Sequence, residues 1–256
     1  MAQESPTDIA VPFPDIENPT LKLTAAPARL RIHPGGTQQW VAGTYTEMEG
    51  GSGYKLSTNG SVTQIATDWK VAKLRKGLPT FDLTLGTSQP FALAIESGAS
   101  DRNFCDFGGV PLTSLDFKQG AGQFVLDFSK PNGTEMTLLN ISAGASSLEL
   151  RNLANANTAE LSLTGGVASF LVDFCGVLIR DMHARINSGM AEVKITAPRE
   201  TAVKLQANTT LATVNIGDGF VTREGAFWTE PAAAGITPVL TIDLVTALGT
   251  SKIRLV

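Results

Sequence analysis

Charged residues are scarce in this 256-residue chain: Asp, Glu, Lys and Arg together make up 17% of it, and the formal net charge is −4. An acidic balance of this size gives nucleic acids and anionic membranes no electrostatic reason to bind, so neither is expected as a partner. The chain also lacks any run of 18 apolar residues, and we expect no membrane-spanning helix in it. No basic stretch followed by an apolar one opens the sequence, so no secretory signal is expected as written.

Histidine and cysteine are nearly absent, which limits the chemistry available. The 2 histidines, His33 and His183, lie far apart in the sequence. They predict structural or surface roles, because a metal site or a catalytic triad needs several converging residues. The 2 cysteines, Cys105 and Cys175, are too few for a disulfide framework. We therefore expect no cofactor, no metal and no catalytic residue.

Two similar seven-residue stretches reveal an internal repeat. GQFVLDF covers residues 122–128 and ASFLVDF covers residues 168–174. In both copies a glycine, Gly120 or Gly166, precedes apolar residues at the fourth, sixth and eighth following positions. Equivalent positions recur at spacings of 22, 24, 22, 23 and 21 residues. The series runs through Gly98, Gly120, Gly144, Gly166, Gly189 and Thr210, and Gly249 closes it.

Each repeat unit contains two runs of alternating apolar residues, joined at a small residue and followed by a polar turn. A period of about 22 residues with this pattern predicts an all-β, parallel β-solenoid, in which stacked coils create the core. We expect one solenoid domain over residues 20–256, with bends at the glycines. Cys105 and Cys175 would then lie about three coils, or roughly 14 Å, apart and remain free thiols, with Cys105 pointing inward.

Two segments interrupt the period. Residues 36–80 are interpreted as an inserted β-hairpin, since alternating runs flank the turn sequence Asn59–Gly60. The same segment contains a basic cluster at 70–76, which predicts a solvated surface stretch. Residues 217–240 lengthen the penultimate coil and predict a loop on one face of the solenoid.

The pattern resembles that of the bacterial toast-rack family, the β-solenoid domains related to LiaF-like cell-envelope stress proteins and to adhesin-like domains. The resemblance is strongest over residues 80–256 and looser over 20–46. The stretches that carry it are LTSLDFKQGAGQFVLDF (112–128), LNISAGASSLEL (139–150), INSGMAEVKITAP (186–198), FALAIESGAS (91–100) and FGGVPL (107–112).

This resemblance implies a single-domain, non-enzymatic module of the bacterial cell envelope. It supplies no catalytic residues to carry over to this chain. Our leading interpretation is therefore a non-catalytic structural or protein-interaction module, located in the cell envelope or outside the cell, with a cytoplasmic location as the alternative. The expected partner is a protein, including a second copy of this chain.

One charged column follows from the repeat register. Asp127, Arg151 and Asp173 occupy the same position in consecutive coils and should project outward as an Asp–Arg–Asp ladder. The structural interpretation is a set of cross-strand ion pairs. The functional interpretation is a carbohydrate-binding or carbohydrate-cleaving face, since β-helix lyases use such columns.

The carbohydrate alternative makes a specific structural demand. It requires an outward cleft near residues 217–240 in which Asp218, Glu224 or Glu230 faces Arg223 or the Asp127 column. A flat surface in this region would remove the support for it.

A second alternative is a self-assembling filament subunit. We expect residues 1–19 to form an extended, proline-rich acidic arm, whose apolar Ile9, Val11 and Phe13 dock on the body of the protein or on a neighbour. The chain also ends in a strand without a capping helix, and an uncapped solenoid end offers open backbone groups to another subunit. The candidate assembly residues at that end are Lys252, Ile253, Arg254 and Leu255.

Overall fold

The structure is a computed structural model that describes residues 6–36, 38–47, 53–68 and 78–256. Its core is a stack of long, bent β-strands joined by turns. Shorter strands precede them at the amino-terminal end: β1 Pro6–Pro12, β2 Thr20–Ala25, β3 Arg29–Pro34, β4 Gln39–Thr46, β5 Tyr54–Asn59, β6 Val62–Thr67 and β7 Thr80–Leu85. The long strands are β8 Phe91–Asp106, β9 Leu112–Asp127, β10 Leu138–Arg151, β11 Glu160–Asp173, β12 Met182–Ala197, β13 Ala202–Ile216 and β16 Val239–Leu255. A short hairpin, β14 Phe220–Arg223 and β15 Ala226–Thr229, a four-residue helix, α1 Glu230–Ala233, and a 3₁₀ turn at Leu153–Ala156 complete the fold.

Each long strand bends at its middle, so that its two halves face each other across the core. We call the half before the bend the first arm and the half after it the second arm. In β9, Phe117 of the first arm and Phe124 of the second arm stack with ring centroids 3.9 Å apart. Both side chains are buried, as the apolar alternation of the sequence requires.

Parallel pairing between equivalent positions confirms the predicted β-solenoid. Leu148 of β10 lies in register with Phe124 of β9 and with Phe170 of β11. The same register continues through the long strands, which stack identical positions into buried columns. Because one coil exposes its apolar face until the next covers it, the core exists only through stacking.

Glycine is required at some of the bends because backbones approach closely there. A Cβ atom on Gly144 would lie 2.4 Å from the carbonyl oxygen of Gly120 in the coil below. Gly122 has a φ of +120°, and its Cβ would meet the oxygen of Ser100 at 1.7 Å. In the last strand the register aligns Gly249 with Ala191, so the bend position equivalent to Gly189 is Ala247, two residues before the glycine that the sequence pattern predicts.

The carboxy-terminal coils do not stack in sequence order. β16 pairs on one side with β12 and on the other with β13, so the last strand of the chain lies inside the stack and β13 forms its end. The expectation that the chain's final strand is the open end of the solenoid is therefore wrong. The connection at residues 217–238 is long enough for β16 to take its place between β12 and β13.

The amino-terminal coils are layered in the same way. β6 pairs with β2, and β7 pairs with β3. β6 and β7 lie outside β2 and β3 in the stack, although they follow them in the chain. The predicted hairpin is present as β5 and β6, whose last pair is Asn59 and Val62. Its β6 belongs to the solenoid stack, so the hairpin is a layer of the fold rather than an appendage. The basic cluster at 70–76 lies outside the described residues.

The amino-terminal arm is a strand of the same sheet. β1 pairs antiparallel with β4, which pairs antiparallel with β7. Ile9 and Val11 are buried in the core of their own chain, and Phe13 stacks on Trp40. The arm was expected to dock on the body of the protein or on a neighbour, and in the structure it docks on the body of its own molecule.

Candidate functional site

The outer side of the second arms of the regular coils carries a groove. It has a volume of about 390 Å³. Strands β10, β11, β12 and β16 each contribute outward side chains to it, because alternate residues of a strand point away from the core. Its charged lining residues are Glu149, Arg151, Asp173, Lys194, Lys252 and Arg254.

Cations predominate in this outer groove, with four against two carboxylates. Some of this charge is already paired: Arg151 contacts Glu149 at 2.7 Å, and Lys194 contacts Glu192 at 3.0 Å. Within the described part of the chain, Arg254 has no acidic partner. Leu171, which is 40% exposed, supplies an apolar centre between these charges. The groove therefore combines an excess of cations with one exposed apolar side chain.

The predicted Asp–Arg–Asp ladder is present as a column but not as a set of ion pairs. Arg151 and Asp127 are in register, yet Arg151 pairs with Glu149 of its own strand. Asp127 accepts a hydrogen bond from the Asn152 side chain at 2.8 Å, and Asp173 accepts one from the Thr196 hydroxyl at 2.9 Å. The prediction of pairing between strands is therefore wrong, since neutral donors satisfy both carboxylates.

Both thiols are free, as predicted, and neither is activated. Complete burial raises the pKa of the Cys105 thiol well above its usual range. Partial burial, with a hydrogen bond to Asp173, raises the pKa of Cys175 to about 11. Since the thiolate is the nucleophilic form of cysteine, these surroundings suppress covalent chemistry.

A second polar cluster lies on the outer side of the first arms of β11, β12 and β16. Nε2 of His183 lies 2.6 Å from a carboxylate oxygen of Asp243. Arg185 donates to Nδ1 of the same ring at 2.9 Å and to Glu160 at 2.5 Å. A guanidinium cannot take the place of the nucleophile that a catalytic triad needs on the second ring nitrogen. This arrangement is a structural network that joins three strands.

Among the described residues, no ion pair or hydrogen bond joins the carboxylates that the carbohydrate alternative requires to Arg223 or to the Asp127 column. Residues 217–240 contain the hairpin β14–β15 and the helix α1, which pack against the first arm of β13. Arg223 lies over the ring of Trp228 at 5.1 Å and donates to the carbonyl of Ala233. Neither Asp218, Glu224 nor Glu230 lines the outer groove.

The structure also relocates the candidate assembly residues. Ile253 is buried and lies in register between Ile195 of β12 and Ile216 of β13. Lys252 and Arg254 point outward into the outer groove. Leu255 pairs with Ala197, and the carbonyl oxygen of the final residue accepts a hydrogen bond from the Arg199 amide at 3.0 Å. These four residues are thus part of the stack and the groove, not of an open edge.

Two further observations concern the described ranges alone. They contain no group of three or more His, Cys, Asp or Glu residues that could hold a metal ion. They also contain no helix that is both long and apolar enough to cross a membrane.

Sequence reasoning missed the composition of the groove and the polar cluster of His183. The column that contains Asp127 was identified, but its neighbour, in which Lys194 and Lys252 are in register, was not. Alignment on the repeat would have placed Lys194 correctly. It would not have placed Lys252, because the repeat series puts the last bend at Gly249, two residues after its position at Ala247.

Comparison with known proteins agrees with this architecture. No curated protein matches the chain. A solved structure of a candidate cell adhesion protein from Clostridium sporogenes aligns with a TM-score of 0.52 at 14% identity, covering 99% of this chain and 100% of that one. A candidate adhesin from Bacteroides fragilis aligns with a TM-score of 0.52 at 10% identity, covering 99% and 98%. At these identities the two structures show that the fold is shared.

The family assignment rests on a separate match. The model described as "N-terminal domain of toast_rack, DUF2154" matches residues 2–151, which is more than half of the chain. The match includes the amino-terminal region in which the resemblance of individual motifs is loosest. This chain belongs to the toast-rack family.

Proposed function

We propose that this protein is a non-catalytic adhesion module of the bacterial cell envelope that binds an acidic segment of a partner protein in its outer groove. The family and the adhesin descriptions of the two similar structures support the general role. The observation that carries the specific role is the groove itself, where four cations outnumber two carboxylates and the half-exposed Leu171 lies in register between Glu149 and Lys194.

The chemistry of the groove favours a peptide with acidic and apolar residues. Arg254, without an acidic partner among the described residues, and Lys252, whose contact with Glu192 is 3.8 Å, are available to an incoming carboxylate. Charged groups at the edge of an interface steer association and make it salt-dependent. The paired strands that carry these side chains preorganise the groove, which reduces the entropy lost on binding.

The experiment measures fluorescence anisotropy with short labelled peptides of three kinds: alternating Asp and Leu, alternating Lys and Leu, and alternating Ser and Leu. We expect the acidic peptide to bind best and its affinity to fall with added salt. The double variant Lys252→Glu/Arg254→Glu should weaken its binding at least about tenfold, or about 1.4 kcal/mol. Thermal unfolding establishes that the variant remains folded.

A matched control carries the same change in net charge elsewhere. Lys22 and Lys118 are surface residues on the outer side of the first arms, paired with Glu96 and Asp116. Lys22→Glu/Lys118→Glu should leave the affinity within a few fold of the unmodified protein. Equal loss in both double variants, or equal binding of the acidic and basic peptides, would contradict the proposal.

A further inference from the structure

The end of the solenoid formed by β13 is only half covered. Lys204 and Leu205, in the first arm, pair with Trp228 and Phe227 of β15. The hydroxyl of the buried Thr229 reinforces this cover by accepting a hydrogen bond from the Val203 amide at 2.9 Å. From residue 206 to residue 216, β13 pairs with β16 on one side and with no described strand on the other.

The missing cover is visible in the burial of equivalent positions. Thr246 of β16 is fully buried, whereas Thr209, its neighbour in β13, is exposed. Ala207, Val214 and Ile216 are only partly buried and pack against the core, although the residues beside them in β16 have 0 to 2% exposure. The end layer thus leaves part of the core in contact with solvent.

This free edge lacks the features that normally keep an edge strand from pairing with another chain. Native edges are protected by charged residues, prolines or bulges. Residues 205–216 contain no Asp, Glu, Lys, Arg, His or Pro. β13 keeps one register with β16 along this segment, without a bulge, and only Thr210 at the bend is unpaired with it. The edge is therefore competent for backbone pairing along its length.

An exposed apolar column also ends at this edge. Val167, Met190, Leu248 and Leu211 lie in register on four adjacent strands. Their exposures are 60%, 53%, 40% and 77%, and the value is largest at the edge strand. We call these four residues the apolar column. Contiguous exposed apolar surface of this kind marks an interaction site.

We propose that β13 pairs antiparallel with β13 of a second copy, forming a closed two-fold dimer. A two-fold axis through the bend exchanges the two arms, so the bent strand fits its own copy. An uncharged edge has no like-charge clash with itself, whereas head-to-tail stacking would have to use the amino-terminal edge strands β1, which carries Pro6, Asp8 and Pro12, and β5, which carries Lys55. The free edge of one end thus selects the same end of a second molecule.

The hydrophobic pattern defines the register of this dimer. The inward residues of the first arm are odd-numbered and those of the second arm are even-numbered, so an axis at the Thr210–Leu211 peptide bond places inward residues opposite inward residues. Ala207 then faces Val214 of the second copy, and Asn208 faces Thr213. The segment 206–215 is symmetric about this axis, and the two Leu211 side chains flank it. The apolar columns of both molecules meet there.

The test uses two double variants of the full chain at exposed positions of the edge. Asn208→Glu/Thr213→Glu would place like charges opposite each other across the two-fold axis, twice in each dimer. Asn208→Glu/Thr213→Lys would place opposite charges there instead. Val245 and Thr250, beside these two positions in β16, are uncharged, so neither variant creates a clash with that strand.

Sedimentation velocity over a concentration series measures the outcome. We expect the unmodified 26.9 kDa chain to form a dimer that dissociates on dilution. The like-charge variant should dissociate at least about tenfold more readily, and the opposite-charge variant should stay within a few fold of the unmodified protein. Circular dichroism establishes that both remain folded.

Hydrogen exchange supplies an independent measurement, with amides of residues 206–215 more protected at high protein concentration than at low. A chain that remains monomeric throughout the series overturns the proposal. So does a dimer that both charge variants weaken equally, and so does the growth of long polymers.

Discussion

The two ends of the solenoid cover their last coils differently. At both ends the parallel coils stack out of chain order: β6 and β7 lie outside β2 and β3, and β13 lies outside β16. The amino-terminal end then adds the antiparallel strands β1, β4 and β5. The carboxy-terminal end adds only the hairpin β14–β15, over one arm of β13.

The aromatic residues follow the same division. At the amino-terminal end the buried ring of Trp40 packs between Phe13 and Phe91, and Tyr45 contacts both Tyr54 and Phe81. At the other end the rings of Phe227 and Trp228 are only half-buried. The amino-terminal end is thus a closed hydrophobic layer, whereas the end formed by β13 keeps a strand edge available for contact.

The largest effect expected from this difference is in the cost of removing a ring. Trp40→Ala should destabilise the fold by about 3–5 kcal/mol, because a fully buried aromatic side chain leaves a cavity. Trp228→Ala at the opposite end should cost about 1 kcal/mol, mainly the loss of its contact with Lys204, whose Nζ lies 4.3 Å from the ring. Guanidinium unfolding measures both variants. Equal costs would mean that the two ends are closed to the same degree.

A smaller effect is expected where β16 joins the open end to the rest of the stack. Gly249 has a φ of +125°, and a Cβ atom there would lie 2.0 Å from the carbonyl oxygen of Ala191. Gly249→Ala should therefore cost about 1–3 kcal/mol, the scale of local backbone strain. It should also accelerate amide exchange in β13, which is held by β16 alone along its second arm.

The control is Gly133→Ala in a turn. A Cβ atom at Gly133 would meet no other atom within 4 Å, so we expect a change of at most about 0.5 kcal/mol. If Gly249→Ala is as well tolerated as this control, or slows exchange in β13, the strand contact does not hold the end in place.

The reactivities of the two cysteines can be compared, because Cys105 is buried and Cys175 is only partly buried. Cys175 should react slowly with iodoacetamide near pH 8, because its pKa of about 11 leaves only about one thiol in a thousand ionised. Cys105 should not react until the protein unfolds, since its side chain is fully buried. Mass spectrometry of the alkylated peptides measures both rates.

Asp173→Asn tests the cause of the slow reaction at Cys175. Burial is the larger cause of its raised pKa and the Asp173 carboxylate the smaller one, so this variant should shift the pH–rate profile downward without restoring an ordinary thiol. The rate at Cys105 should remain unchanged. A profile for Cys175 that does not move would assign the whole shift to burial.

The regular coils could be predicted from the sequence because each bend repeats the same physical requirements. Phe124, Leu148 and Phe170 recur at one buried position of each coil, and Gly144 must lack a Cβ atom because its backbone approaches that of Gly120. Those requirements appear as letters at fixed spacing. The parallel solenoid and the hairpin at Asn59–Gly60 followed directly from them.

The order of the coils at the ends could not be predicted in the same way. Ile253 fits equally well beside Ile195 or beside Ile216, since the register of every coil is the same. The sequence therefore does not distinguish β16 inside the stack from β16 at its end. The charge column failed for a related reason: Asp127 and Arg151 are in register, but the nearer Asn152 and Glu149 provide partners that a register argument does not consider.

The smallest effect expected concerns a surface ion pair close to the amino-terminal end. Arg29 of β3 donates three hydrogen bonds of 2.6 to 2.9 Å to Asp101 of β8, and these lower the pKa of the Asp101 carboxyl. A carboxyl with a lowered pKa stabilises the fold above its unfolded pKa of about 3.9, and this contribution is lost as the pH falls through the folded value. Because both side chains are about half exposed, Asp101→Asn should cost under about 1 kcal/mol at neutral pH. Urea unfolding of both proteins from neutral pH down to about pH 3 should show this difference shrink in the acid range. A difference that persists or grows there would mean that the carboxylate charge is not what joins β3 to β8.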